Sequence, residues 1–378
     1  PHMDFSRGGW LIIDDTGFPK KGVHSVGVAR QYCGMLGKQD KCQVAVSVSL
    51  ACDQGSIPVA WQLYLPQDWA QDAERRKRTG VPESVRFATK TQIALQQLRT
   101  LLSEGAPRHC VLADAGYGVD TAFRQALSDM GLHYAVGVTS AVVVWPPGVE
   151  PLPPETYSGK GRPPVTPRRT AQLQPMSVKA LALSLPAQAF QTISWREGTN
   201  APLTGRFAAV RVRHAGGNAG KASLRPQEWL LIEWPVEQAE PVKYILSTLP
   251  ESTPLNDLVS CAYQRWRIER DYQDLKQDFG LGHYEGRGWR GFHHHASLSI
   301  ATYAFLMSER LIADKPAGGK KNFIERQVPA VPQDYIPRGR PARTAARGQL
   351  DHKLASSAEL RTHRPSGTVP LLRPHQRE

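Results

Sequence analysis

Apolar and polar residues in this 378-residue chain alternate in short blocks, without one sustained period. Residues 10–13 (WLII) form an apolar run closed by Asp14 and Asp15 and followed by a Gly- and Lys-rich turn, TGFPKKG. Strands are predicted at 43–51 (QVAVSVSLA), where the alternation has period two, and at 57–65 (IPVAWQLYL). A charged loop leads to 84–103, where apolar residues three and four apart predict a helix. A short strand at 110–113 stops at Asp114; a helix over about 120–130 and a strand at 133–138 follow. From about 141 to 241 the texture changes to Pro- and Gly-rich loops with β-like pieces at 207–212 and 228–234. A last strand at 244–249 precedes a long helix over about 254–279 and a second over about 291–313. The order is that of a mixed α/β protein.

Length alone predicts two domains, or one large domain carrying an insertion. The pattern divides the chain into a first core segment at 4–140, a β-rich insertion at 141–241, and a second core segment at 242–314. Residues 1–3 (Pro-His-Met) read as a cloning scar. The strand so close to the start suggests a fragment, or a protein whose upstream domain is absent. No apolar run approaches the ~18 residues of a membrane span, and the start lacks a secretory pattern. Cys33, Cys42, Cys52, Cys110 and Cys261 are odd in number and widely spaced, with no C-x-x-C pair. That argues against a disulfide framework or zinc site, and for a reducing, intracellular setting.

Lys and Arg number 47 against 34 Asp and Glu, a formal net charge of +13, which points to a polyanionic partner, most simply nucleic acid. The surplus is uneven: residues 315–378 hold 13 basic and 5 acidic residues, hence +8, together with eight prolines. This stretch is expected to be a basic, largely disordered tail.

Three carboxylates attract attention. An apolar run that ends in Asp14 and Asp15 presents one of them to a cleft, because alternate strand residues face opposite ways. The run HCVLADAGYG repeats the device, closing on Asp114 before two glycines that let the backbone turn. Singly, an aspartate at a strand end is more often a turn former or helix cap. In AYQRWRIERDYQDLKQDFGLGHYEG, Arg265, Glu269 and Lys276 lie at offsets of four and seven, close to one helical face.

The set DDTGFPKKG, LADAGYG and R-x-x-x-E-x-x-x-x-x-x-K resembles the DDE transposases of bacterial insertion sequences, in the branch with a β-rich insertion between the second Asp and the Glu. The resemblance implies an RNase H-like fold: a mixed five-stranded sheet flanked by helices, interrupted by the insertion. It implies Asp14, Asp114 and Glu269 as catalytic metal ligands, with Asp14 preferred over Asp15 because Asp14, Asp15 and Thr16 match the family's Asp, variable residue and Thr. Arg265 and Lys276 would hold DNA phosphates. The family's tyrosine falls at Ala262, whereas this chain has Tyr263.

The implied cofactor is a pair of Mg²⁺ or Mn²⁺ ions per site, for which hard carboxylate oxygens suffice. His293, His294 and His295 cannot share one ion, since three consecutive helical residues splay through about 300°; they are expected at the surface or on phosphates. Lys20, Lys21, Lys160, Arg162, Arg287 and Arg290 are further candidates for a DNA path. Trp195, Trp229 and Trp234 could include a base-stacking wedge, with core packing expected of Trp229 and Trp234.

The expected function is metal-dependent hydrolysis at transposon ends and strand transfer into target DNA. The expected partners are double-stranded DNA and a second subunit when bound to it, in a bacterial cytoplasm at the nucleoid. Two alternatives stand beside it: another RNase H-like nuclease, or a truncated or domesticated transposase that only binds DNA, since the family's usual region before the first acid is not seen here.

Overall fold

A computed structural model describes residues 3–6, 8–161, 170, 173–197, 202–215 and 225–313. All of these belong to one compact unit. The basic tail beyond residue 314 and Arg162 lie outside the described residues.

The chain opens with β1 (Trp10–Pro19), β2 (Ala29–Cys33), β3 (Lys38–Cys52) and β4 (Gly55–Leu63). Helices α1 (Gln67–Gln71), α2 (Ala73–Thr79) and α3 (Lys90–Ser103) follow. Next come β5 (Cys110–Ala113), the short α4 (Ala115–Gly118), α5 (Thr121–Asp129) and β6 (Tyr134–Val138). The β-rich stretch contributes β7 (Val143–Trp145), β8 (Met176–Ser177), α6 (Val178–Ser184), β9 (Gln191–Glu197), β10 (Pro202–His214) and β11 (Glu228–Glu233). The chain returns through β12 (Lys243–Ser247) to α7 (Leu255–Tyr263), α8 (Trp266–Gln277) and α9 (Trp289–Ala313).

The heart of the sheet is a mixed set. β1 pairs antiparallel with β3 and parallel with β5; β3 pairs antiparallel with β4, and β5 parallel with β6. The five strands expected from the sequence are therefore one end of a larger sheet, twelve strands among the described residues. The reason is that β6 does not end it. β12 pairs antiparallel with β6, and β11 with β12, so the β-rich stretch continues the same hydrogen-bond ladder.

Strand alternation distributes β1 between two cores. Leu11 and Ile13 are fully buried on the face covered by α3 and α5. Ile12 is fully buried on the opposite face with Val259 of α7 and Ile268 and Tyr272 of α8. Each such aliphatic side chain contributes about 1.5–3 kcal/mol of burial free energy, so β1 is clamped from both sides.

Three boundaries differ from the sequence reading. β1 does not stop before its two aspartates, because Thr16, Gly17 and Phe18 stay buried and stay paired with β3. The helix predicted from 84 begins at Lys90, where Thr89 and Gln92 form a reciprocal capping box. The long helix predicted over 254–279 is two helices. The bonds Gln264 N to Cys261 O and Arg267 N to Gln264 O span three residues each, tightening the chain into a turn between α7 and α8.

α8 is fixed to its neighbours by a buried acid. Asp271 accepts from Ser56 Oγ at 2.6 Å, Ser49 Oγ at 3.0 Å and the Tyr303 hydroxyl at 3.0 Å, so β3, β4 and α9 all tie to α8 through one carboxylate. Burial pushes its pKa up to about 6, and the three hydroxyls oppose that rise. His293 is a similar strut: its Nε2 accepts from Leu63 N at 3.2 Å while Nδ1 meets Trp289 O at 2.9 Å. His295 Nε2 meets Gly280 O at 2.9 Å. Contrary to the sequence expectation, these two histidines join elements of the fold, and His294 alone of the three is exposed.

The turn after β5 depends on two glycines in contact. A Cβ on Gly118 would sit 2.0 Å from Gly137 O, and one on Gly137 would sit 2.9 Å from Ala115 N. α4 therefore lies directly on the backbone of β6. Gly118→Ala is expected to destabilise the protein by roughly 1–3 kcal/mol or more through overpacking. Gly22→Ala, whose Cβ would meet nothing within 4 Å, is expected to change stability by no more than about 0.5 kcal/mol. Urea unfolding of the two variants checks both values.

Candidate active site

The alternation that buries Ile12 and Ile13 on opposite faces also separates Asp14 from Asp15. Asp14 follows Ile12 toward α8, and Asp15 follows Ile13 toward α3. Their partners agree: Asp14 Oδ2 accepts from Arg265 Nη1 at 2.8 Å, and Asp15 Oδ2 pairs with Lys90 Nζ at 2.8 Å. The parallel pairing of β1 with β5 ends at Ile12 opposite Leu112. Asp14 and Asp114 each stand two residues past that last pair, where the parallel pairing of the two adjacent strands ends.

Asp114 caps α4, accepting from Gly116 N at 2.9 Å. Glu269 lies one helical turn beyond Arg265, and its Oε1 accepts from Arg265 Nη2 at 2.7 Å. One guanidinium thus bridges the acid of β1 and the acid of α8. The turn between α7 and α8 makes this possible, because Arg265 sits at the very start of α8, on the side of Asp14.

The electrostatics are strained. The Asp14 side chain is 16% exposed, and burial pushes its pKa up to about 7; Arg265 opposes the rise and Asp114 adds to it. Burial acts to lower the pKa of Arg265, but Asp14, Glu269 and Asp114 hold the guanidinium above its ordinary value. Glu269 is 59% exposed and reaches the site from the solvent side. Lys276 donates to Gly17 O at 3.0 Å, and burial lowers its pKa.

These groups line a cleft of about 840 Å³ that includes Asp14, Asp15, Asp114, Arg265, Glu269 and Lys276. A second hollow of about 490 Å³ shares Asp114, Arg265 and Glu269 and runs on past Trp195, Tyr263 and Trp266. Tyr263, the tyrosine displaced by one position, packs against Trp195 with ring centroids 4.5 Å apart and planes tilted by 44°, and its hydroxyl donates to Glu233.

A profile of the DDE superfamily endonucleases matches residues 3–202, just over half of the chain. The chain belongs to this family. A DDE superfamily endonuclease has the acid-lined cleft and mixed α/β architecture described above in this instance. The chain is also 34% identical over 131 residues to the probable transposase for insertion sequence element IS701 from Microchaete diplosiphon. That stretch is 34% of this chain and 32% of the relative, so the similarity spans about a third of the relative's length.

DDE endonucleases generally use divalent metal ions. The donor set suits such an ion: carboxylate oxygens only, one of them buried and short of compensating positive charge. Among the described residues, however, no three His, Cys, Asp or Glu side chains are grouped closely enough to hold one. Arg265 occupies the space between two of the three carboxylates.

Of the other sequence candidates, Lys20 is half-buried and donates to Tyr284 O at 2.5 Å, while Lys21, Lys160, Arg287 and Arg290 are exposed and none of them lines the cleft. Trp229 and Trp234 are half-buried, and each donates its indole N–H to a backbone carbonyl. Sequence reasoning missed Lys90. Its place at the first position of a capped helix was hidden by starting that helix six residues early. It also missed Asp271, because a buried acid among the charges of α8 looks like one more exposed residue.

The shifted pKa of Asp14 makes a prediction about stability. Raised from 3.8 to about 7 in the fold, the carboxyl is neutral in both states below pH 4 and ionised in both above pH 7. The metal-free protein therefore carries an ionisation cost that grows as pH rises through this window. Asp14→Asn is expected to stabilise the metal-free protein by on the order of 2–4 kcal/mol at pH 8. The gain should shrink toward zero at pH 4, as followed by urea unfolding in the presence of a chelator.

Proposed function

We propose that this chain is a DNA transposase with an RNase H-like core, catalysing metal-dependent phosphodiester hydrolysis at transposon ends and strand transfer into target DNA. The observation that carries the reading is that Asp14, Asp114 and Glu269, from three separate elements, line one cleft beside Arg265, Lys90 and Lys276. The strand order β4-β3-β1-β5-β6, with its antiparallel and parallel pairings, supports the fold assignment. The similarity to the IS701 transposase supports the substrate class.

Asp14, Asp114 and Glu269 would hold a pair of Mg²⁺ or Mn²⁺ ions, while Asp15, in the same cleft, stays paired with Lys90. Such ions neutralise charge on the attacking and leaving oxygens of an in-line displacement. The remaining work falls to the chain itself. Arg265 exchanges its bond to Asp14 for a phosphate oxygen, a planar donor pair suited to that geometry. Lys276, fixed to Gly17 O, sets the depth at which the backbone enters. Water cleaves at the element's end and leaves a 3′-hydroxyl, which then attacks a target phosphate and expels its 3′-oxygen, with no covalent enzyme intermediate. Joining two element ends requires at least two subunits on the DNA.

The hollow beyond Glu269, walled by Trp195, Tyr263 and Trp266, has the aromatic surface and the position to stack an extruded base from the bound end.

Asp114→Ala and Glu269→Ala are each expected to lower Mg²⁺-dependent nicking of supercoiled plasmid by roughly three orders of magnitude. Salt-sensitive DNA binding should persist in both. Asp15→Ala should retain nicking. Equal nicking by wild type and Asp114→Ala would remove that residue from the site.

A further inference from the structure

The β2–β3 hairpin has a composition that folding does not require. Its tip, a 3₁₀ turn at Gly34–Leu36, carries apolar side chains in water: Tyr32 is 59% exposed, Met35 58% and Leu36 40%. An isolated exposed apolar residue needs no explanation, but a group of three on one tip does.

The tip is held in place. Cys33 is fully buried against β1, and a Cβ on Gly17 would lie 2.8 Å from its Sγ. Glycine at 17 therefore lets the hairpin settle directly on the strand that carries Asp14. Lys276 fastens the other side, donating to Gly17 O at 3.0 Å with its Nζ 3.9 Å from Met35 Sδ. Tyr32, Gly34 and Met35 thereby form part of the wall of the acid-lined cleft. Exposed Lys38 adjoins the turn, and exposed Arg30 and Lys41 face each other three pairs down the hairpin, against a single carboxylate, Asp40, which pairs with Lys38 at 3.4 Å.

An apolar point on a hairpin with a surplus of positive charge, at the mouth of a cleft that takes a phosphodiester, matches the physical requirements of a wedge in duplex DNA. The charges meet phosphates, and the apolar group enters between bases and unstacks them. We propose that the Tyr32–Met35–Leu36 tip inserts into the duplex beside the scissile phosphate and opens the base step there, so that one strand can reach Asp14, Asp114 and Glu269. This rests on the DNA-cleaving reading above and adds a strand-opening element that the carboxylates do not supply. Tyr32 provides the stacking face, Leu36 the apolar bulk. Gly17 and Lys276 set where the wedge enters relative to the acids.

The test uses the full chain. The strongest Mg²⁺-dependent nick site on a supercoiled plasmid is mapped by primer extension and rebuilt as a short duplex. One version is fully matched, and the other carries a two-base mismatch at the nick. 2-Aminopurine placed beside the nick reports unstacking in Ca²⁺. Wild-type protein should raise its fluorescence on matched DNA; Tyr32→Ala/Leu36→Ala should not, while Tyr32→Phe should. The double variant should nick matched DNA roughly tenfold or more slowly than wild type, and mismatched DNA at a rate close to wild type. Rescue by the mismatch excludes a merely misfolded variant. Nicking by wild type without a fluorescence rise would overturn the wedge alone. So would a double variant equally slow on both duplexes, or one whose only change is oligomeric state by light scattering, which would make the tip a protein interface. Absence of metal-dependent nicking by wild type itself would defeat the endonuclease reading, and this inference with it.

Discussion

The bridge from Asp14 through Arg265 to Glu269 is the interaction on which the rest of the site depends. A buried carboxylate whose pKa rises to about 7 sits close to neutrality at physiological pH. One guanidinium, itself drawn out of water, keeps the ionised form accessible. Removing Arg265 would leave the Asp14 carboxylate buried without its partner, which is the costly way to break such a pair, whereas Arg265 keeps Glu269 when Asp14 is neutralised. The same bridge ties Glu269, a mostly exposed residue of α8, to the strand that carries Asp14. The site is thus organised around a deficit of positive charge that Arg265 fills in part and that divalent cations would fill more completely.

Backbone geometry explains why these acids converge. The sheet's parallel pairing between β1 and β5 stops before both aspartates, while β1 continues along β3. Asp14 is therefore stiffly held on one side and open on the other. Asp114 is placed by a turn so tight that two glycines meet backbone to backbone. Glu269 is placed by a helix tied at Asp271 to β3, β4 and α9. Three different devices, a strand ladder, a glycine contact and a buried polar anchor, deliver three carboxylates to one cleft.

Much of this was legible along the chain. Apolar runs closed by Asp14 and Asp114, and the spacing of Arg265, Glu269 and Lys276, identified residues that line a common cleft. Period-two alternation located β3, whose start lies five residues earlier than read, and strand-like runs located β4, β6 and β11 to within two residues at each end. What could not be read was set by long-range pairing. β1 runs past its aspartates only because β3 is there to receive it. The break before Arg265 leaves no proline or glycine mark, since Gln264 and Arg265 both keep right-handed helical angles. The ion pair of Lys90 with Asp15, 75 positions apart, and the triple hydroxyl clasp on Asp271 are likewise tertiary facts. The packing of Ile12 against α8 and of Ile13 against α3 decides which of the two adjacent aspartates faces α8, a choice that alternation alone leaves open.

Crystals soaked in Mn²⁺, with anomalous difference maps, test the central claim most directly. The account predicts metal density bounded by Asp14, Asp114 and Glu269, with Arg265 moved off Asp14 and Asp15 still on Lys90. Metal held by Asp15 in place of Asp14, or no metal shared by carboxylates of β1 and Asp114, would contradict it.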